Sequence, residues 1–222
     1  MFDNMHIAID GPAGSGKSTI AKQLAKRLDM LYIDTGAMYR ALTYKVINSD
    51  IATEDYSSVI GLAMTTEITF KNTKVYLDGR DVTREIRCQS VDKRVSEVAR
   101  IPGVREQMVK IQRQMAKSRN VVMDGRDIGT VVLPQAKFKF YLTAGIEERA
   151  ERRYKDIVKN NPHISLAQVK ADIERRDLLD SEREYAPLRA AADARTIDTS
   201  GKSIEAVLQE MIGLIGGKGD AV

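Results

Sequence analysis

Read as alternating apolar and polar stretches, the chain gives five short β-type runs: His6 to Asp10, Leu31 to Asp34, Asn120 to Asp124, Lys137 to Leu142 and Arg195 to Asp198. Between them, apolar residues recur at helical spacing, as in Ile20, Ala21, Leu24, Ala25 and Leu28. Strands that alternate with helices predict an α/β fold, a parallel five-stranded sheet with helices on both faces. One stretch breaks this rhythm. Thr66 to Lys71 and Lys74 to Gly79 alternate polar and apolar residues about the short connection Asn72-Thr73, the pattern of an antiparallel hairpin. Helical stretches near 55–64 and 89–99 flank it, and Pro102-Gly103 precede a long helix from Val104 to about Lys117. The reading is therefore one domain over 1–222, with a small antiparallel insert at 62–102.

The most informative chemistry lies just after the first run. Gly11-Pro12-Ala13-Gly14-Ser15-Gly16-Lys17-Ser18 is G-x-x-x-x-G-K-[ST], placed between a strand and a helix that begins at Ser18-Thr19. Its glycines let the backbone curl so that successive N–H groups face one anion. Lys17 is expected to reach the β and γ phosphates, Ser18 to offer a hydroxyl to a magnesium ion, and the helix to add the positive end of its dipole. The chain is thus expected to bind a nucleoside triphosphate.

Composition narrows the partners. Apolar residues make up 43% of the 222 and the net charge is +4, with 19 of 35 basic residues being arginine. Arginine forks suit phosphate oxygens, whereas charge-driven nucleic-acid binding calls for a dense basic block with interleaved aromatics, and none appears. A lone cysteine, Cys88, and two histidines leave neither a disulfide nor a Cys- or His-built metal site. No apolar stretch approaches the ~20 residues of a membrane span, and the first residues lack a secretion-signal pattern. A cytoplasmic, monomeric protein that binds neither nucleic acid nor membrane is expected, with Gly216 to Val222 as a frayed tail.

Further candidates sit where strands end, the edge at which ligands gather in parallel sheets. Thr35 and Arg40 follow the second run. Asp124 tips the third, where a carboxylate organises magnesium across from a phosphate loop, and Arg126 and Asp127 follow it. Arg149, Arg152 and Arg153 share a helical face that suits either a triphosphate or salt bridges to the interleaved glutamates. The late Asp198-Thr199-Ser200-Gly201-Lys202-Ser203 lacks the upstream glycines of a second phosphate loop. It is read as a loop and helix cap beside the adenine.

Together G-P-A-G-S-G-K-S, D-T-G-A-M-Y-R, D-G-R-D-I-G-T-V-V and R-D-x-x-D-S-x-R-x-x-A-P-L resemble the bacterial cytidylate (CMP) kinases over nearly the whole length. The resemblance implies transfer of a phosphoryl group from ATP to CMP or dCMP, with magnesium near Ser18. It implies that Arg40, Arg126 and Arg183 grip phosphates and that Ser96, Arg105 and Asp127 surround the cytosine. Arg176 and Asp180 would hold the ribose. Arg149 and Arg153 would belong to a lid, about residues 149–165, that closes over ATP. A kinase for UMP, AMP, dTMP or shikimate is the nearest rival. A GTPase switch is disfavoured because no N-K-x-D motif is present.

Overall fold

In the computed structural model, which describes residues 4–71, 74–159 and 161–217, each of the five apolar runs forms a strand. In chain order the elements are β1 (His6–Asp10), α1 (Lys17–Arg27), β2 (Leu31–Asp34), α2 (Thr35–Asn48), α3 (Tyr56–Met64), β3 (Ile68–Lys71), β4 (Lys74–Leu77) and β5 (Arg80–Asp81). There follow α4 (Gln89–Ala99), α5 (Pro102–Ala116), β6 (Val121–Gly125), β7 (Phe138–Thr143), α6 (Ile146–Ile157), α7 (Leu166–Ser181), β8 (Arg195–Asp198) and α8 (Ile204–Gly216). The parallel sheet has the order β2-β6-β1-β7-β8, so the strand feeding the phosphate loop is central. Central parallel strands are covered on both faces, which is why β1 and β6 are nearly continuous in apolar residues and almost wholly buried.

The chain divides into two compact units, 1–32 with 118–222, and 33–117. In the larger unit, α1 and α8 lay Ile20, Leu24, Val207, Leu208 and Met211 on the sheet residues Ile7, Ile9, Val122, Phe140 and Leu142. A second apolar cluster joins Ala150 of α6 to Val169 and Ile173 of α7, with Ala13 of the phosphate loop inside it. The starts of α7 and α8 carry side-chain caps. Ser165 and Gln168 form a reciprocal capping box on α7, and the Ser203 hydroxyl accepts from Ala206 N–H at the start of α8. The late G-K-S is thus a loop and cap, as its missing glycines required.

The smaller unit, 33–117, contains the 62–102 segment together with α2 before it and α5 after it. Its antiparallel sheet pairs β3 with β4 in the register Ile68↔Leu77 and Phe70↔Val75. The expected connection Asn72-Thr73 lies outside the described residues, as do Asn160 of the expected lid and 218–222 of the expected tail. A third strand, β5, was not anticipated: two residues are too few to show alternation, and β4 alone supplies its partner. The long helix starts at Pro102, two residues before the expected Val104, because proline is preformed for the first helical position. Asp34 caps α2 by accepting from Ala37 N–H at 2.8 Å.

Candidate active site

The phosphate loop has the curl its glycines allow: Gly11, Gly14 and Gly16 all have positive φ. Gly11 is further required because a methyl there would collide with the Leu142 carbonyl oxygen of the neighbouring strand. Gly16 caps α1, and Lys17 begins it, nearly buried, with Nζ donating to the Pro12 carbonyl at 2.9 Å. Burial, then the nearby Arg126 guanidinium, pull the Lys17 ammonium well below the usual lysine range, against Asp124 and Asp180. Two cations that raise each other's cost in this way are stabilised by an anion between them.

Asp124, at the tip of β6, accepts from Ser18 Oγ at 2.7 Å through Oδ2 and from Tyr32 hydroxyl at 2.8 Å through Oδ1. Ser18 and Asp124 thus place a hydroxyl and a carboxylate together, a hard-oxygen pair that suits magnesium, whose remaining positions are usually taken by phosphate and water. Among the described residues no cluster of three or more His, Cys, Asp or Glu forms an all-protein metal cage. Tyr32 escaped the sequence reading, since a tyrosine in a β-run reads as core until its hydroxyl partner is known.

Asp180 gathers the arginines of the D-G-R-D and R-D-x-x-D strings. Arg126 Nε donates to its Oδ2 at 2.7 Å and Arg183 pairs with its Oδ1. Burial raises the Asp180 carboxyl, but Arg126 and Arg183 outweigh it and hold it below the usual carboxylate range. Arg176 also acts on this carboxylate. Four expected residues, Arg126, Arg176, Asp180 and Arg183, are therefore brought together. Asp127, buried beside them in sequence, opens a π-helical turn Ile128–Val132. Asp10 holds that turn: its carboxylate accepts from Ile128 N–H and Gly129 N–H, both at 2.8 Å. Burial pushes the Asp10 carboxyl up to about 7 despite these two bonds.

The arginines of α6 differ from one another. Arg149 is buried and donates from Nε to the Ala144 carbonyl and from Nη1 to the Ala13 carbonyl, each at 3.0 Å, and pairs with Asp177. Arg152 reaches the late loop, donating to Thr199 Oγ1 at 2.9 Å, and pairs with Glu148. Thr199 in turn donates to the Ser15 carbonyl at 3.2 Å, so that loop touches the phosphate loop directly. Asp177 was missed, although it sits in the R-D-x-x-D string beside Arg176.

Within the smaller unit, Arg40 on α2 pairs with Asp92 of α4 at 2.6 Å, and its Nη1 points to the Ile86 carbonyl at 3.5 Å. Arg105 on α5 is 1% exposed, donates to the Ala99 carbonyl at 3.2 Å and lies 5.5 Å from the centre of the Tyr39 ring. Ser96 and Thr35 are buried as well. Burying so much charge is costly unless it is matched. Asp92 and Tyr39 supply part of that match, and neither could be identified from spacing alone.

A parallel sheet whose central strand delivers a G-x-x-x-x-G-K-S loop, with a carboxylate on the adjacent strand, defines a P-loop nucleotide-binding protein. The chain belongs to the cytidylate kinase family, whose model matches residues 7–216. It is 53% identical to a cytidylate kinase of Desulforamulus reducens over 215 residues, 96% of this chain and 97% of that one. It is 50% identical to a cytidylate kinase of Alkaliphilus oremlandii over 213 residues, 96% and 98% of the two chains. A solved gluconokinase from Sinorhizobium meliloti shares the fold at a TM-score of 0.50 and 12% identity, covering 96% of this chain and 92% of that one.

Proposed function

We propose that the protein transfers the terminal phosphoryl group of ATP to CMP or dCMP, giving ADP and CDP or dCDP. The observation that carries this reading is the convergence of Lys17, Arg126 and Arg183 around Ser18, Asp124 and Asp180 in a chain of the cytidylate kinase family. The nucleophile is a phosphate oxygen already ionised near neutral pH, so no general base is required. What the protein must supply is alignment of two polyanions and neutralisation of the charge that spreads over the transferring group.

The 11–18 loop, through N–H groups other than that of Ala13, which Asp177 holds, binds the ATP phosphates together with Lys17, and Thr19 lies in the first turn of α1. Ser18 and Asp124 would hold magnesium, which would supply neutralisation of phosphate charge. On the larger unit, Arg126 and Arg183 grip phosphate oxygens, Arg176 and Asp180 take the ribose, and Asp127 the cytosine; Arg153 is a lid residue toward ATP. On the smaller unit, Arg40 takes phosphate, Ser96 and Arg105 take the base, and Thr35 contributes at the start of α2. A base presenting an N4 amino donor beside acceptors needs a carboxylate or hydroxyl together with a donor, chemistry that Ser96 and Arg105 of the smaller unit carry. The enzyme works as a cytoplasmic monomer, and no helix among the described residues is long and apolar enough to cross a membrane.

An acceptor panel tests the reading: ADP release from magnesium-ATP with CMP, dCMP, UMP, AMP, dTMP and shikimate. CMP or dCMP should be the best acceptor. Conversion of another compound with CMP left untouched refutes it.

A further inference from the structure

One residue of the phosphate loop is held on every side by the α6–α7 hairpin. The Ala13 N–H donates to Asp177 Oδ1 at 3.0 Å, and the Ala13 carbonyl accepts from Arg149 Nη1 at 3.0 Å. Asp177 and Arg149 are themselves paired, and Arg149 Nε is fixed on the Ala144 carbonyl. The Ala13 methyl lies in the apolar cluster of Ala150, Val169 and Ile173. The next residue, Gly14, runs so close to α6 that a methyl on it would sit 2.8 Å from the Arg149 carbonyl oxygen.

We propose that Arg149 and Asp177 are a positioning pair that seats the phosphate loop on the α6–α7 hairpin, rather than Arg149 being a ligand of ATP. The proposal rests on the phosphoryl-transfer reading for its kinetic consequences. Three observations carry it. Both backbone polar groups of Ala13 are engaged by the pair, so the loop has one seated orientation there. Arg149 spends Nε and Nη1 on protein oxygens and is 9% exposed, unlike a side chain held out for a mobile ligand. Asp177 also stands three residues, about 4.5 Å of helix rise, from Asp180, which holds Arg126 and Arg183. The same turn of α7 therefore fixes the loop carrying Lys17 and the carboxylate that gathers the arginines. Should the hairpin drift from the loop, Lys17 and Arg126 lose their mutual alignment, although neither touches Arg149 by hydrogen bond. Misplacement by ~1 Å costs on the order of 100-fold in rate.

The test compares full-length wild type with Arg149→Met, Asp177→Leu, Asp177→Asn and the double variant Arg149→Met/Asp177→Leu. Steady-state kcat and KM for ATP and CMP are measured, together with hydrogen exchange of the Ala13 amide without nucleotide. Circular dichroism checks that each is folded. The expected result is a kcat lowered by roughly tenfold or more in Arg149→Met and in Asp177→Leu, with KM for ATP changed by less than about threefold. The double variant should be within about threefold of the worse single one, because either change releases the same residue. Ala13 exchange should quicken by roughly tenfold or more in Asp177→Leu and be partly restored in Asp177→Asn, which keeps an acceptor but loses the ion pair. Asp177→Asn also answers the question if the leucine variant does not fold.

A KM for ATP raised tenfold in Arg149→Met, with Asp177→Leu behaving as wild type, makes Arg149 a direct ATP ligand and overturns the proposal. Unchanged Ala13 exchange in both Asp177 variants overturns it as well. Wild-type protein that leaves CMP unconverted defeats the functional reading instead, and the exchange data then decide the pair by themselves.

Discussion

Replacing Asp10 by asparagine should alter the pH dependence of stability in a way that isolates one buried carboxylate. Asp10 is 4% exposed and accepts from Ile128 and Gly129 N–H, and its folded pKa is pushed from 3.8 up to about 7, mainly by burial. A raised carboxyl pKa means that the folded state keeps its proton where the unfolded chain has lost it. Stability from this group is therefore full below about pH 4, falls as pH rises toward 7, and is level above that. Three pH units at 1.36 kcal/mol each make the total change about 4 kcal/mol, of which about 3 kcal/mol falls between pH 5 and pH 8. Other carboxylates, such as Asp180, act in the opposite direction. Groups that do not interact with Asp10 are common to both proteins and cancel when wild type is compared with Asp10→Asn. The assay is urea unfolding of both at pH 5, 6, 7 and 8. The wild-type free energy minus that of the variant should drop by about 3 kcal/mol from pH 5 to 8, or on the order of 1 M in the midpoint difference. A difference that stays level across this range refutes the burial argument.

Other outcomes follow from single contacts. Lys17→Ala and Arg126→Ala should each lower kcat by on the order of 100-fold or more with the circular dichroism spectrum unchanged, because in the proposed reaction both act on charge in the transferring group. Near-normal turnover in both removes them from the catalytic assignment. Gly11→Ala should destabilise by more than about 3 kcal/mol, since its methyl meets the Leu142 carbonyl. Gly79→Ala, also at positive φ but with nothing within 4 Å, should cost only about 1 kcal/mol, and equal effects on thermal unfolding would refute the steric reasoning. Gln112 on α5 is 1% exposed, and neither amide atom has a hydrogen-bond partner among the described residues. Gln112→Met should therefore raise stability by about 1 kcal/mol, read as a Tm increase of about 2–4 °C; a lower Tm shows that the amide is satisfied.

The strands were legible because a parallel sheet buried on both faces imposes unbroken apolar runs, and all five runs became strands within a residue or so of their expected ends. The phosphate loop was equally legible, since its glycines and its lysine answer to local geometry. Other features depend on partners that sequence spacing does not reveal. Arg149, Arg152 and Arg153 lie on one short helix and read alike, yet Arg149 takes the Ala13 carbonyl and Arg152 takes Thr199. Asp10 and Asp124 both tip apolar strands, but one accepts from the backbone of a π-helical turn and the other from Ser18. What separates them is tertiary contact, and the amino-acid types are the same.

The position of β1 carries a consequence for the order in which the nascent chain acquires structure. Its two partners in the sheet are β6, which begins 115 residues later at Val121, and β7, which ends at Thr143. At synthesis rates of about 5–20 residues per second, the segment His6–Asp10 waits roughly 7–27 s for both neighbours. The unit 33–117 is continuous in sequence and is complete before either has emerged. β1 is thus made well before it is enclosed, a window in which an apolar ribbon with two open edges depends on the ribosome and its attendant chaperones for shelter.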